Sequence, residues 1–348
     1  MPNISVILSA YNDEKTVKRC LESVFAQENA DVRVECLVVD DCSTDATLDI
    51  VRHEVGAYKG SIAFRILRHK THHGLSRTRN TGVERASGDY VMFVNAADVL
   101  CPGCMDVFTE NLMRYWDVDV LAGNVLNNVS GQNLFANLSG AMVLRGRGEV
   151  ICHEMLSNHL YLFAWNKLVR RDLLVSNNIR FDETMAYADI QWAFQVFNNV
   201  SSIALLPEVT YEYMARELGP ISQAEKRVNA LLSSYAATCE YLIDRSPRPE
   251  GDITSYYFAH QLFVYGLLEG AEQVIKEYNV LPQVRRELSN MRSKLTSQTH
   301  RDGQKRLSLY FVQDASLFSG MLKLPAFKRY GEVVADVVNQ LTTLVGKQ

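Results

Sequence analysis

Four short apolar runs rich in β-branched residues, at 4–10, 34–39, 62–67 and 90–94, alternate with segments whose apolar residues fall at helical spacing. This alternation limits the fold more than anything else in the chain. Residues 14–27 carry Val17, Leu21, Val24 and Phe25 along one stripe, as a helix packed on a sheet requires. Ser43 or Thr44 can cap the next helix, which runs to about residue 55. A third helix spans 75–86 and is closed by Gly88. Strands separated by single helices predict an α/β fold, a mostly parallel sheet with helices on its faces. Ligands of such sheets bind beyond the carboxyl ends of the strands. The candidates are therefore Tyr11-Asn12, Asp40-Asp41 and Asn95-Ala96-Ala97-Asp98.

The texture changes along the chain. Residues 118–222 are mixed, and from about 223 the pattern is helical throughout. The 348 residues therefore divide into 1–222, with halves 1–117 and 118–222, and a helical C-terminal domain, 223–348. Net charge is −4, so no global basic field advertises nucleic acid as a partner. No apolar run reaches the roughly 18 residues that a spanning helix needs. The N-terminus enters a strand directly, without the basic and apolar regions of a leader, which suggests a cytoplasmic protein. Residues 283–306 are rich in Arg and Lys. Such a run is either a solvated helix face or a docking site for an anionic polymer or for anionic lipid at the inner face of the membrane. The amphipathic C-terminal stretches favour core packing or a homo-oligomer contact.

Seven cysteines at irregular spacing read as reduced thiols. Cys101-Pro102-Gly103-Cys104 has redox-motif spacing, but a Pro-Gly turn opening a helix explains it as well.

Three stretches stand in order: Ile4-Ser5-Val6-Ile7-Leu8-Ser9-Ala10-Tyr11-Asn12, Cys36-Leu37-Val38-Val39-Asp40-Asp41-Cys42-Ser43-Thr44-Asp45 and Gly74-Leu75-Ser76-Arg77-Thr78-Arg79-Asn80-Thr81-Gly82. A second block follows, with Trp165-Asn166-Lys167, Phe181-Asp182-Glu183, Tyr187-Ala188-Asp189 and Tyr211-Glu212-Tyr213. Together these resemble the inverting family 2 glycosyltransferases over roughly 4–222. The resemblance implies a GT-A fold, Rossmann-like, and sugar transfer from a UDP-sugar to a glycan or cell-surface polymer, as in cell-wall or capsule synthesis.

A uracil ring needs an aromatic face and an acceptor for its imide N–H. By resemblance, Tyr11 and Asp40 supply these, with Ala10 beside them. Asp41 and Asp45 brace the turn. Arg79 suits the nucleotide's phosphates or base edge, because a guanidinium presents a planar fork to oxygens; Arg77 is a weaker candidate. His72 and His73 fall where the family favours Asn and Gly, and a sequential pair points in different directions, so no metal is expected on them. Trp165 and Lys167 border the acceptor pocket, and Asp189 is the candidate base that removes the acceptor proton.

The family ends its metal strand in an Asp-x-Asp-Asp type cluster. Here that stretch is Asn95-Ala96-Ala97-Asp98, and the Glu-Asp pair of the base is Ala188-Asp189. Mn²⁺ or Mg²⁺ is thus expected to bind weakly, centred on Asp98 with Asn95. Each important departure removes an acid, at 95, 97 and 188, while neighbouring residues still match. Three readings stand: a selected change for an unusual acceptor or metal regime, deliberate inactivation, or a degenerate relative that binds nucleotide or glycan and supports a partner subunit. A nucleotidyltransferase would want a Gly-rich loop after the first strand, and Ser9-Ala10-Tyr11-Asn12-Asp13-Glu14 is acidic and Gly-free.

Overall fold

The computed structural model describes residues 2–214 apart from 30, 129–130, 134–137, 147–162 and 186–187. The expected alternation is present as β1 (Asn3–Ala10), α1 (Val17–Phe25), β2 (Arg33–Asp40), α2 (Thr47–Ala57), β3 (Ala63–Arg68), α3 (Leu75–Arg85) and β4 (Tyr90–Asn95). There follow β5 (Val99–Leu100), α4 (Cys104–Arg114), β6 (Val120–Asn127), β7 (Gln132–Asn133), β8 (Met142–Arg145), β9 (Lys167–Arg170) and β10 (Ser202–Tyr213). Helices Arg171–Ser176 and Asp189–Asn199 lie between β9 and β10.

The sheet order is β3-β2-β1-β4-β9-β6-β10-β5. Strands β1 to β4 are mutually parallel where they pair. Beyond them, β9 runs antiparallel to both β4 and β6, and β10 parallel to β6. The chain builds outward from β1 through β2 to β3, then returns to place β4 on the other side of β1. The direction of winding therefore switches between β1 and β4, which opens a crevice at their carboxyl ends. In register, Ala10 lies opposite Asp40 and Ser9 opposite Asn95, so the candidate residues share one edge.

β1 is buried from Ile4 to Ala10, Ser5 and Ser9 included, because both of its faces are covered. Ile4, Val6, Leu8 and Ala10 join Val17, Cys20, Leu21 and Val24 of α1 and Val51 of α2 in one core. On the other face α3 comes so close that a Cβ on Gly82 would lie 2.2 Å from Ile7 Cγ2.

Three local expectations are corrected. α1 starts at Val17 rather than at 14, because the Asp13 carbonyl accepts from the amides of Thr16 and Val17, both at 2.9 Å, in a tight turn. The first turn of α2 is served by Asp45, whose Oδ1 accepts the Thr47 amide at 3.0 Å. Ser43 is occupied elsewhere, its amide on the Asp40 carboxylate and its hydroxyl accepting from Asn12 N. α3 ends at Arg85, and Gly88 serves a different need: its amide donates to Ser5 Oγ at 2.8 Å, and a Cβ there would lie 2.7 Å from the Ser5 nitrogen.

Cys104 opens α4 after the Pro-Gly turn. Burial pushes the thiols of Cys101 and Cys104 up, with the neighbouring Glu212 charge adding to the first and Cys101 and Asp106 to the second. Neither is a ready thiolate, and the described cysteines are free.

The chain forms two compact units, Met1–Thr184 with Trp192–Glu217, and Met185–Gln191 with Leu218–Gln348. The helical domain expected over 223–348 lies outside the described residues. Among the described residues, no helix is long and apolar enough to cross a membrane.

Candidate active site

The loops leaving β1 and β2 are tied together at the crevice. Asn12 Oδ1 accepts the Thr44 amide at 2.8 Å, and Asn12 N donates to Ser43 Oγ at 3.1 Å. Asp13 N donates to Thr47 Oγ1 at 2.7 Å, and Glu14 Oε2 accepts the Ala46 amide at 3.1 Å. Asn12 adopts φ 54°, a left-handed turn that asparagine tolerates better than most residues. The two loops therefore form one rigid rim.

Tyr11 stands on that rim, 37% exposed, with its ring stacked on His72 at a centroid distance of 3.9 Å. His72 is held in turn by Asp41. That buried carboxylate lies 2.7 Å from His69 Nδ1 and 2.8 Å from His72 Nδ1, and it accepts the amides of His73 at 3.0 Å and Gly74 at 2.6 Å. Asp41 thus braces the start of α3, across the crevice from its own strand. Sequence reasoning set His72 aside; its signal was its place two residues before the Gly that opens α3.

Asp40 is fully buried at the end of β2. Its Oδ2 pairs with Arg68 Nε at 3.3 Å, and the Ser43 amide donates to the carboxylate at 3.3 Å. Ala10 is buried beside it, and its carbonyl accepts the Asp41 amide at 2.9 Å.

The third strand end carries a linked polar series. Arg79, 2% exposed, donates from Nη2 to Asn95 Oδ1 at 3.2 Å. Its guanidinium lies 5.1 Å from the Phe181 ring centre and 5.8 Å from that of Phe93, a cation–π seat. Asn95 Nδ2 donates to Asp98 Oδ2 at 2.9 Å. The Tyr211 hydroxyl donates to the same oxygen at 2.8 Å, and the Met214 amide donates to Oδ1 at 3.0 Å. Burial, then the Asp98 charge and this hydrogen bond, push the Tyr211 phenol well above its ordinary value, so it stays a donor. Arg19 Nη2 donates to the Ala97 carbonyl at 3.2 Å. Among the described residues, no three His, Cys, Asp or Glu side chains converge as a metal site.

Arg77 is spent on surface pairs with Glu84 and Glu183, each at 3.3 Å. Its neighbour Asn80 ties α3 to the loop at 181–183, with Nδ2 to the Phe181 carbonyl at 2.9 Å and Oδ1 accepting the Phe181 amide at 3.0 Å.

Trp165 is 6% exposed and lies in a stack of near-parallel rings, 5.1 Å from Phe163, 5.1 Å from Tyr211 and 5.6 Å from Tyr213. Through Tyr211 this wall touches Asp98. Lys167 is buried, with Nζ donating to the Phe163 carbonyl at 2.6 Å. Asn166 between them is a structural clasp: Nδ2 donates to the carbonyls of Gly123 and Asn124, and Oδ1 accepts from Thr210 Oγ1 at 2.6 Å. Asp189 is the first residue of helix Asp189–Asn199, where the helix dipole favours a carboxylate.

A mostly parallel sheet covered on both faces, with polar groups gathered at the carboxyl ends of β1, β2 and β4, defines the GT-A class. Residues 5–174 match the family model described as Glycosyl transferase family 2. That match spans just under half of the chain's 348 residues.

Relatives agree. The uncharacterized glycosyltransferase YibD of Escherichia coli K12 is 26% identical over 292 residues, 81% of this chain and 82% of YibD. The poly(ribitol-phosphate) beta-N-acetylglucosaminyltransferase TarS of Staphylococcus aureus MW2 is 27% identical over 225 residues, 63% of this chain. That match spans only 36% of TarS. The crystal structure of S. aureus TarS 1–349 in complex with UDP-GlcNAc superimposes with a TM-score of 0.62 at 21% identity, covering 83% of this chain and 80% of that one. The mannosyltransferase PcManGT of Pyrobaculum calidifontis, in complex with GDP-Man and Mn²⁺, gives a TM-score of 0.54 at 14% identity, covering 100% of this chain and 88% of that one. At these identities the two structures speak for the fold.

Proposed function

We propose that this chain transfers a hexose-type sugar from a UDP-sugar to a cell-surface or cell-wall glycan polymer, with inversion at the anomeric carbon. The observation that carries the reading is the pairing of Tyr11 with Asp40 on one rigid rim, at the ends of adjacent strands, with Arg79 across the crevice. An aromatic face and a buried carboxylate suit a uracil ring, and a guanidinium suits the diphosphate. The names and contents of the TarS relatives support the donor and the polymer class.

The reaction is a single displacement. The acceptor hydroxyl oxygen attacks C1 of the sugar as the bond from C1 to the diphosphate oxygen breaks. Asp189 takes the acceptor proton, and UDP leaves with the electron pair of the broken bond. Trp165, in its aromatic stack, gives the acceptor side an apolar wall for sugar faces. On this reading the protein works in the cytoplasm at the inner face of the membrane.

The test is UDP release from a panel of UDP-sugars, with and without poly(ribitol phosphate) as acceptor. We expect release that needs both the polymer and Asp189, with Asp189→Asn slower by at least about 100-fold. Polymer-dependent release unchanged in Asp189→Asn would remove Asp189 as the base. No release with any donor and any polymer would remove the transferase reading.

A further inference from the structure

We infer that this chain binds its UDP-sugar without a divalent cation, with the Arg79 guanidinium as the resident positive charge of the loop at 95–98. The inference rests on the reading of the crevice as a nucleotide-sugar site.

The donor set does not fit a metal. Hard divalent cations take about six or more oxygen ligands, with charged carboxylates central among them. The loop offers one carboxylate, because Ala96 and Ala97, both buried, bring no side-chain donor atom. That one acid, Asp98, is 2% exposed and already accepts three hydrogen bonds, from Asn95, Tyr211 and Met214. A cation would have to displace donors that the fold itself supplies from β10 and the residue following it.

Asn95 cannot substitute. Its amide has one working orientation here: the NH₂ meets the Asp98 carboxylate and the oxygen meets the Arg79 guanidinium. Turning the amide over would set its oxygen against a carboxylate and its NH₂ against a cation. The oxygen that a metal would require is held by Arg79.

Charge leads to the same conclusion. Through the Asn95 amide one carboxylate is linked to one guanidinium, and these two charges offset each other. A dication placed among them would leave two positive charges unbalanced in a buried setting, which is strongly unfavourable. Acids at 95 and 97 would bring the sum to −2, three carboxylates against one guanidinium, which a dication neutralises. Arg19, on the Ala97 carbonyl, adds another cation beside the loop.

Arg79 suits the role that remains. Its guanidinium is fixed between Asn95 and the faces of Phe181 and Phe93, so its charge is in place before the diphosphate arrives.

The experiment uses the full chain. UDP is titrated calorimetrically in excess EDTA and again in millimolar Mn²⁺, and Mn²⁺ alone is titrated into the protein and followed by its electron paramagnetic resonance signal. Asn95→Asp/Ala97→Asp and Arg79→Gln are measured beside the unmodified chain. We expect UDP affinity to agree within threefold between EDTA and Mn²⁺. The Mn²⁺ signal should be quenched by the double variant and not by the unmodified protein. Arg79→Gln should weaken UDP binding at least tenfold in both buffers. A tenfold or greater gain in UDP affinity on adding Mn²⁺ to the unmodified chain would overturn the inference. So would Mn²⁺ binding by the unmodified chain as tight as by the double variant, or full UDP affinity in Arg79→Gln. The comparison of UDP affinity in EDTA and in Mn²⁺ on the unmodified chain does not depend on the variants folding. If UDP does not bind in either buffer, the nucleotide reading fails, and the Mn²⁺ titration still decides the cation question.

Discussion

The imidazole of His72 lies 3.9 Å from the ring of Tyr11, tilted by 26°, while its Nδ1 sits 2.8 Å from Asp41 Oδ2. One face of Tyr11 is thereby covered by the protein's own side chain. A base that stacks on this face has to displace the imidazole, and an aromatic pair of this kind is worth about 0.5–1.5 kcal/mol. His72→Ala is expected to raise UDP affinity by about 2- to 10-fold, read by calorimetry. A loss of affinity instead would mean that the base stacks over His72 and that the two rings form one platform.

Tyr211 and Asp98 provide a stability test. The phenol is one of three donors that satisfy a buried carboxylate. Tyr211→Phe keeps the ring stack on Trp165 and removes that donor, together with the acceptor of the Asn95 amide at 3.3 Å. Urea unfolding should show a loss of about 1–3 kcal/mol, the usual cost of an under-satisfied buried acceptor. No change in midpoint would mean that the carboxylate is satisfied without the phenol.

The approach of α3 to β1 is checked at Gly82. A Cβ there would lie 2.2 Å from Ile7 Cγ2, so Gly82→Ala should cost about 1–3 kcal/mol by overpacking. Combining it with Ile7→Ala should recover part of that loss, because the two changes share one contact. Strictly additive losses would place the strain elsewhere.

Acid stability should depend on Glu35. Partial burial pushes its carboxyl up, but hydrogen bonds from Ser5 and from Ser87, with Arg65 nearby, outweigh this and hold the value below the usual 4.5. A carboxyl lowered in the folded state stabilises the fold above its unfolded value, and that contribution is lost as pH falls through the folded value. The stability gap between the unmodified chain and Glu35→Gln should therefore narrow from about pH 6 to pH 3 in urea titrations. A gap independent of pH would assign Glu35 a packing role only.

The parallel half of the sheet was legible because its strands are apolar runs and the first three are each followed by a helix, and the strand ends then named Tyr11, Asp40 and the loop at 95–98. The other half was not. β9 is four residues long and sits antiparallel between β4 and β6, too short for any periodicity to declare it. The motif Trp165-Asn166-Lys167 was visible, but its division of labour was not: Asn166, at φ 58°, binds β6 and β10, and the Lys167 ammonium serves a carbonyl of its own chain. The grip of Asp41 on His69 and His72 joins loops about 30 residues apart, and no spacing rule reports such a contact. The missing acids were plain in the sequence. That Asn95 bridges Arg79 to Asp98 needed coordinates, because it depends on which way one amide faces.

The central claim is that the rim at the ends of β1 and β2 holds a uridine nucleotide. The most direct measurement is calorimetric titration of the folded chain with UDP and with GDP, repeated with Tyr11→Ala and Asp40→Asn variants shown to be folded by circular dichroism. The expected result is UDP binding at least tenfold tighter than GDP and weakened at least tenfold by either substitution. Absence of UDP binding, or UDP binding indifferent to both residues, would contradict the account.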